Sequence, residues 1–290
     1  MRFSQNIVRI LVLTLNVLIS HNLQSADFLY VSDDIMGTVS RIDSIGSISI
    51  IASGIIGPGG LTFDTSGLLY LTSIDGTISK IDSNGNSSVF VAGLSRPDGL
   101  AFDSNGFLYV ANHQNSSVSK IDKNGNVSLF ATGLSKPDAL AFDSAGFLYV
   151  SNWDTSTISK IDHVGKVSTF ASGLHNPTGI AFDSSGYLYA TNMNGNSISK
   201  ITPNGQVSDF VSGIGPTANI VIDSNGVLFV TDYGSNVYQI TKEGLVSIKA
   251  KGFNASYAIT VGPMIIPEPQ AFLLGVISLV VILVSHKINW

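Results

Sequence analysis

An all-β fold is predicted, a six-bladed β-propeller of four-stranded blades closed into a ring by a C-terminal strand that joins the N-terminal blade. Three observations predict it: a sequence repeat of roughly 40 residues, an apolar spacing of two inside each repeat, and a first repeat that lacks its opening strand. The clearest copies begin at Phe102-Asp103, Phe142-Asp143 and Phe182-Asp183, and divergent copies begin at Phe63-Asp64 and Ile222-Asp223. A sixth is split between the two ends of the domain.

Within one copy, Leu100 and Phe102, Leu108 and Val110, Val118 and Ile121, and Val127 and Leu129 fall in short runs separated by turn residues. Asp103-Ser104-Asn105-Gly106 and Asp122-Lys123-Asn124-Gly125 each open a turn on aspartate and supply a positive φ through glycine. Short runs joined by such turns read as four strands, and no run is long enough for a pair of helices. Repetition of that unit makes a propeller. The chain enters at Phe28-Leu29-Tyr30-Val31, which corresponds to a second strand, and the missing first strand is Tyr257-Ala258-Ile259-Thr260-Val261. Pairing the two ends closes the ring and limits exposed sheet edges.

Two segments flank the predicted ring of residues 27–262. Residues 1–26 carry Arg2 and Arg9, an apolar stretch from Ile10 to Ile19 and the polar end Gln24-Ser25-Ala26, the pattern of a secretory signal peptide; an uncleaved anchor is the alternative. Residues 263–290 hold Pro267-Glu268-Pro269, an apolar run from Ala271 to Val284, and Lys287. The 14 apolar residues reach about 21 Å as a helix, short of a hydrocarbon core of about 30 Å unless Gln270 and Ser285 extend them. This end resembles the Pro-Glu-Pro C-terminal sorting signal of exported bacterial proteins. It departs from that signal in having Lys287 where several arginines are usual, and an ordinary tail anchor is the alternative. Export, contact with sorting machinery, and association of the unprocessed tail with a membrane at the cell envelope follow as expectations.

Composition narrows the chemistry. The chain has no cysteine, so disulfides, thiolate metal sites and cysteine nucleophiles are excluded. Without Arg2, Arg9, Lys287 and Glu268 the ring keeps 12 of 15 basic and 19 of 20 acidic residues, a balance of −7. No basic stripe is present, and nucleic acid is not an expected partner. Lys80, Lys120, Lys160 and Lys200 recur in Ser-Lys-Ile and read as a solvated strand position.

The repeat resembles NHL-repeat propellers and, more broadly, the senescence-marker/gluconolactonase and streptogramin-lyase group. Arg96-Pro97-Asp98-Gly99-Leu100-Ala101-Phe102-Asp103, Gly106-Phe107-Leu108-Tyr109-Val110-Ala111-Asn112 and Ser119-Lys120-Ile121-Asp122 carry the likeness. Because one such scaffold hosts unrelated functions, the likeness speaks to architecture before activity.

In a propeller, the residue after each first-strand proline and the residue ending each second strand should crowd one mouth of the channel. The first set reads Tyr257, Gly59, Asp98, Asp138, Thr178 and Ala218; the second reads Asp33, Ser73, Asn112, Asn152, Asn192 and Asp232. His113, Trp153 and Tyr233 follow the second set and are candidates for the rim. The resemblance to gluconolactonase-like enzymes implies a metal role for Asp98 and Asp138, and oxygen ligands from several blades would suit calcium. No other cofactor is implied. The glutamate ligand of those enzymes has no counterpart, since Glu243 lies in a hairpin turn and Glu268 in the C-terminal signal. The glutamate and histidine set of streptogramin lyases is missing as well. The aspartates and asparagines have structural readings beside the functional one: turn-holding for Asp98 and Asp138, ladder-capping for the asparagines. The hairpin residues Asp64, Asp103, Asp143, Asp183 and Asp223 read as turn residues.

Two functions fit. One is an exported, surface-associated module that binds a saccharide, an envelope polymer or a protein by one face; the other is a calcium-dependent lactone hydrolase or a lyase. The close likeness of blades three to five favours binding.

Overall fold

A computed structural model describes residues 28–263; the expected signal peptide and the Pro267-Glu268-Pro269 segment lie outside them. Among the described residues there are 24 strands, numbered β1 to β24 in chain order, and no helix long and apolar enough to cross a membrane. They form six antiparallel four-stranded sheets. Blade three shows the plan: β8 (Pro97–Phe102) is innermost, followed outward by β9 (Leu108–Asn112), β10 (Ser117–Ile121) and β11 (Val127–Ala131). The closing strand is as the sequence predicts. β24 (Ser256–Gly262) pairs with β1 (Phe28–Asp33), with Leu29 opposite Val261 and Val31 opposite Ile259.

Each second strand is buried on both faces, because neighbouring blades stack against it. Tyr109, Ala111 and Val118 of blade three pack with Leu140, Leu148 and Val150 of blade four in one apolar cluster. Five further clusters of this kind fill the remaining blade interfaces. Full burial of a side chain such as Leu148 contributes about 1.5–3 kcal/mol, which explains why every interface repeats the same residues.

The hairpin aspartates serve their turns. Asp103 Oδ1 accepts from the backbone amides of Asn105 and Phe107, each at 2.9 Å, and Asp143, Asp183 and Asp223 repeat the pattern. The repeating lysines are more engaged than a solvated position requires. Lys120 Nζ lies 3.9 Å from the centre of the Phe107 ring, and Lys80, Lys160 and Lys200 sit over Phe90, Phe147 and Tyr187 at 3.8, 4.0 and 4.3 Å. Their stems cover aromatic rings at the blade edge while the ammonium meets the ring face.

Inner strands crowd the axis, and glycine permits it. A Cβ on Gly99 would collide with the backbone oxygen of Asp138, so blades three and four approach too closely for any side chain there. Beyond this constriction, on the side away from the mouth, a cavity of about 370 Å³ is lined by Leu61, Leu100, Leu140, Ile180, Ile220 and Ile259, one from each blade.

Candidate functional site

The mouth is shaped by a repeated defect in strand pairing. Pro97 lies opposite Asn112 and Leu100 opposite Val110, so three steps on β8 match two on β9. The same bulge follows Pro58, Pro137 and Pro177. Bulges re-aim side chains, and this one lies at the residue after proline. Just before it, Arg96 and Lys136 adopt left-handed φ values of 49° and 47°, and their carbonyls accept the amides of His113 and Trp153. The two loops of each blade are thus locked together at the rim.

Asp98 and Asp138 are brought together by adjacent bulges. They are only 7% and 6% exposed, and with His113 they present ligand atoms that all lie within 4.8 Å of one another. The Tyr257 hydroxyl reaches both oxygens of Asp98 at 2.8 Å, donating its proton to that carboxylate. The Tyr233 ring packs edge-on against Tyr257, 5.3 Å between centres. A cavity of about 60 Å³ beside Asp98 is walled by Asp34, Gly57, Pro58, Ile74, Arg96 and Tyr257 among others.

Electrostatics make this cluster unlike any other in the ring. Burial pushes the Asp98 carboxyl up to about 6, although the Tyr257 hydrogen bond and the Arg96 charge pull the other way. Burial and then the Asp98 charge raise Asp138 well above the usual carboxylate range. Burial, followed by Arg96 and Lys136, lowers His113, which favours its neutral form. Tyr233 and Tyr257 are raised by burial and by both carboxylates, so they remain donors. The two buried carboxyls therefore resist carrying two charges at once.

The other sequence candidates fall elsewhere or serve the scaffold. Asp33 accepts from the amides of Met36, Asn254 and Ala255, binding the closing strand's entry loop. Asp232 accepts from Gly234 and Asn236 amides and from the Asn236 side chain. Asn112, Asn152 and Asn192 turn outward along the blade, donating to Ser119, Ser159 and Ser199 at 2.8–2.9 Å. Asn152 and Asn192 also accept from the amides of Ser135 and His175 in the preceding loops. These hydrogen bonds account for Asn152 and Asn192 as ladder caps, whereas the Asn112 Oδ1 is buried without a partner. Trp153 stands on the rim with Lys136 Nζ 5.1 Å from its ring centre.

Arg96 and Asp34 are the site residues that sequence reasoning passes over. Arg96 occupies a loop position held by Gly57, Lys136 and Asn176 in other copies, and the signal available was a cation directly before Pro-Asp in two adjacent blades. The sequence places Tyr257 at the mouth, but its hydrogen bond to Asp98, 159 residues away, appears only when the ring closes.

The donor set can be tested for a cation. The Asp138 carboxylate makes no hydrogen bond among the described residues, and His113 Nδ1 is buried without a partner. Unpaired buried acceptors of this kind are costly unless something neutralises them. Two carboxylates and an imidazole fit a divalent transition metal or zinc; the nitrogen departs from the all-oxygen shell that calcium prefers.

No protein-family model and no curated protein sequence matches the chain. Solved structures do resemble it. A streptogramin B lyase structure superposes with a TM-score of 0.66 at 18% identity, covering 81% of this chain and 84% of that one. A gluconolactonase from Xanthomonas campestris gives 0.65 at 21% identity, over 71% and 79%. A chain of a nidogen/laminin complex gives 0.73 at 19% identity, over 83% of this chain and all of that one. The likeness is one of fold. A lyase, a gluconolactonase and a chain of a nidogen/laminin complex share it.

Proposed function

We propose that this chain is a ligand-binding propeller whose mouth is organised by a divalent cation on Asp98, Asp138 and His113. The observation that carries the reading is the convergence of these groups, two of them nearly fully buried, with the Asp138 carboxylate and His113 Nδ1 lacking hydrogen-bond partners. A bound cation would neutralise the carboxylate pair and offer its remaining positions to an oxygen-bearing ligand. Arg96 and Tyr257 would orient that ligand, the first by charge and the second by holding Asp98. At about 60 Å³ the cavity is far below the roughly 300–1,000 Å³ that encloses a small molecule, so a ligand would rest across the mouth and not inside it.

The termini of the ring fit a tethered module. Phe28 pairs with Gly262 at the end of the sheet opposite the mouth, so the described residues begin and end at that face. An exported ring held at the envelope by its C-terminal segment would turn its mouth away from the membrane, toward a saccharide, an envelope polymer or a protein.

A second reading, metal-assisted hydrolysis of a lactone-like ester, is favoured by one feature. A carboxyl at about 6 beside another raised well above the usual carboxylate range is suited to proton transfer near neutral pH. Thermal unfolding with Mn²⁺, Zn²⁺, Ca²⁺ and a chelator tests the centre, and a lactone panel tests turnover. Stabilisation by Mn²⁺ or Zn²⁺ that is lost in Asp138→Ala, without hydrolysis, is the expected result. No response to any cation would remove the centre, and metal-dependent hydrolysis would replace the binding reading with the enzymatic one.

A further inference from the structure

The loops that precede Pro97, Pro137 and Pro177 share a left-handed residue, with φ values of 49°, 47° and 51° at Arg96, Lys136 and Asn176, but they are not tied down equally. In blades four and five one loop amide donates to the second-strand asparagine: Ser135 to Asn152 Oδ1 and His175 to Asn192 Oδ1, both at 3.1 Å. The next amide reaches a hydroxyl of the preceding blade, Lys136 to Ser116 Oγ at 3.4 Å and Asn176 to Ser156 Oγ at 3.2 Å. Blade three lacks both ties. Asn112 Oδ1 is buried without a partner, the Ser95 and Arg96 amides make no hydrogen bond among the described residues, and Gly76 stands where Ser116 and Ser156 stand. The loop is held instead through its carbonyls: Arg96 accepts from the His113 amide at 3.0 Å and Ser95 from the Gln114 amide at 3.3 Å. An unpaired buried acceptor is costly, and the donor that the neighbouring blades supply at this place is the Ser95 amide.

The cations on these loops differ in the same way. Lys136 turns to the rim, where Asp154 pairs with it at 3.0 Å and the Trp153 ring lies beneath it. Arg96 finds His113 and Gln114 at those two positions, and no carboxylate. It lines the Asp98 cavity, and its charge opposes the burial that raises Asp98 and Asp138. We propose that the Ser95-Arg96 loop is a switch on the cation centre. In the metal-free ring Arg96 serves as counter-ion to Asp98 and Asp138. A divalent cation drives the loop into the position of its blade-four counterpart, with the Ser95 amide on Asn112 Oδ1 and Arg96 turned to the rim. This rests on the reading of Asp98, Asp138 and His113 as a cation centre. A ligand shifts such an equilibrium only by binding its two states unequally, and the guanidinium supplies the difference: one state sets a like charge against the metal and the other removes it. The His113 amide, bonded to the Arg96 carbonyl, joins a metal ligand directly to the loop.

Amide hydrogen exchange of the protein followed by NMR, in chelator and with Zn²⁺, tests the switch, and calorimetry with Zn²⁺ tests the centre. In chelator the Ser95 and Arg96 amides should exchange at least about tenfold faster than those of Ser135 and Lys136, and saturating Zn²⁺ should slow Ser95 to the rate of Ser135. Asn112→Ala removes the acceptor, so it should bind Zn²⁺ more weakly and leave Ser95 unprotected when the metal is bound. Arg96→Asn, which copies the left-handed Asn176 of blade five, should bind Zn²⁺ at least about fivefold more tightly, because the like charge is gone. Zn²⁺ binding that leaves Ser95 exchange unchanged would overturn the switch and leave the centre standing. Ser95 protected in chelator, Ser95 protected equally in Asn112→Ala, or Arg96→Asn binding no more tightly than the parent would do the same. Absence of Zn²⁺ binding in both the parent and Arg96→Asn would remove the centre, and the switch with it.

Discussion

Replacing Asp98 with asparagine should make the metal-free protein more stable at alkaline pH. A carboxyl raised from 3.8 to about 6 binds its proton more tightly in the folded than in the unfolded chain. Its contribution is most favourable below the unfolded value, declines as pH climbs from about 4 to about 6, and is constant above that. A shift of about 2 pH units corresponds to roughly 3 kcal/mol of destabilisation at pH 8, at about 1.4 kcal/mol per unit. The asparagine amide keeps an oxygen to accept from Tyr257, so the substitution removes the charge while preserving the hydrogen bond. Urea unfolding in chelator at pH 4 and pH 8 measures the effect. Asp98→Asn should exceed the parent by up to about 3 kcal/mol at pH 8, or about 6–12 °C in melting temperature, and match it near pH 4. Mn²⁺ at 1,000 times its dissociation constant should reverse the order, because only the parent then gains about 4.1 kcal/mol. A variant no more stable than the parent at pH 8 would refute the claim that Asp98 is a buried, poorly compensated charge.

Four further outcomes follow from the same geometry. Tyr257→Phe removes the donor that holds Asp98 down, so the Asp98 carboxyl should titrate above about 6, as read by carbon NMR of the side chain. His113→Ala should abolish Mn²⁺ or Zn²⁺ binding in calorimetry while lowering the melting temperature in chelator by only about 2–4 °C, since the ring loses one hydrogen bond to the Pro137 backbone. Gly99→Ala should lower stability by about 1–3 kcal/mol in urea unfolding, because its methyl group would press on the Asp138 backbone. Lys120→Met, which keeps the apolar stem and removes the ammonium over Phe107, should cost no more than about 1 kcal/mol in the same assay.

The architecture was legible because a propeller writes itself locally. Asp103 and Gly106 fix a hairpin, Leu108 to Asn112 form a strand buried on both faces, and repetition carries these local instructions around the ring. Even the ring closure was visible, since a first blade lacking Pro-Asp-Gly can be completed only by Tyr257 to Val261. The site was half legible. Asp98 and Asp138 stood out because Gly59, Thr178 and Ala218 occupy the same position elsewhere. The asparagines recurred just as visibly, yet their amides point along the blade to serines of the third strand, and recurrence alone could not tell a cap from a ligand.

The sequence by itself determined the blade, its number and its closure, because strand period, turn chemistry and repeat length act between residues close along the chain. Only the tertiary structure decided which of the mouth side chains touch one another. The bulge after each proline turns Asp98 and Asp138 inward, the left-handed turn at Arg96 ties that loop to His113, and ring closure brings Tyr257 onto Asp98. Those contacts join residues far apart in the chain, and the raised carboxyls arise from burial that no single repeat possesses.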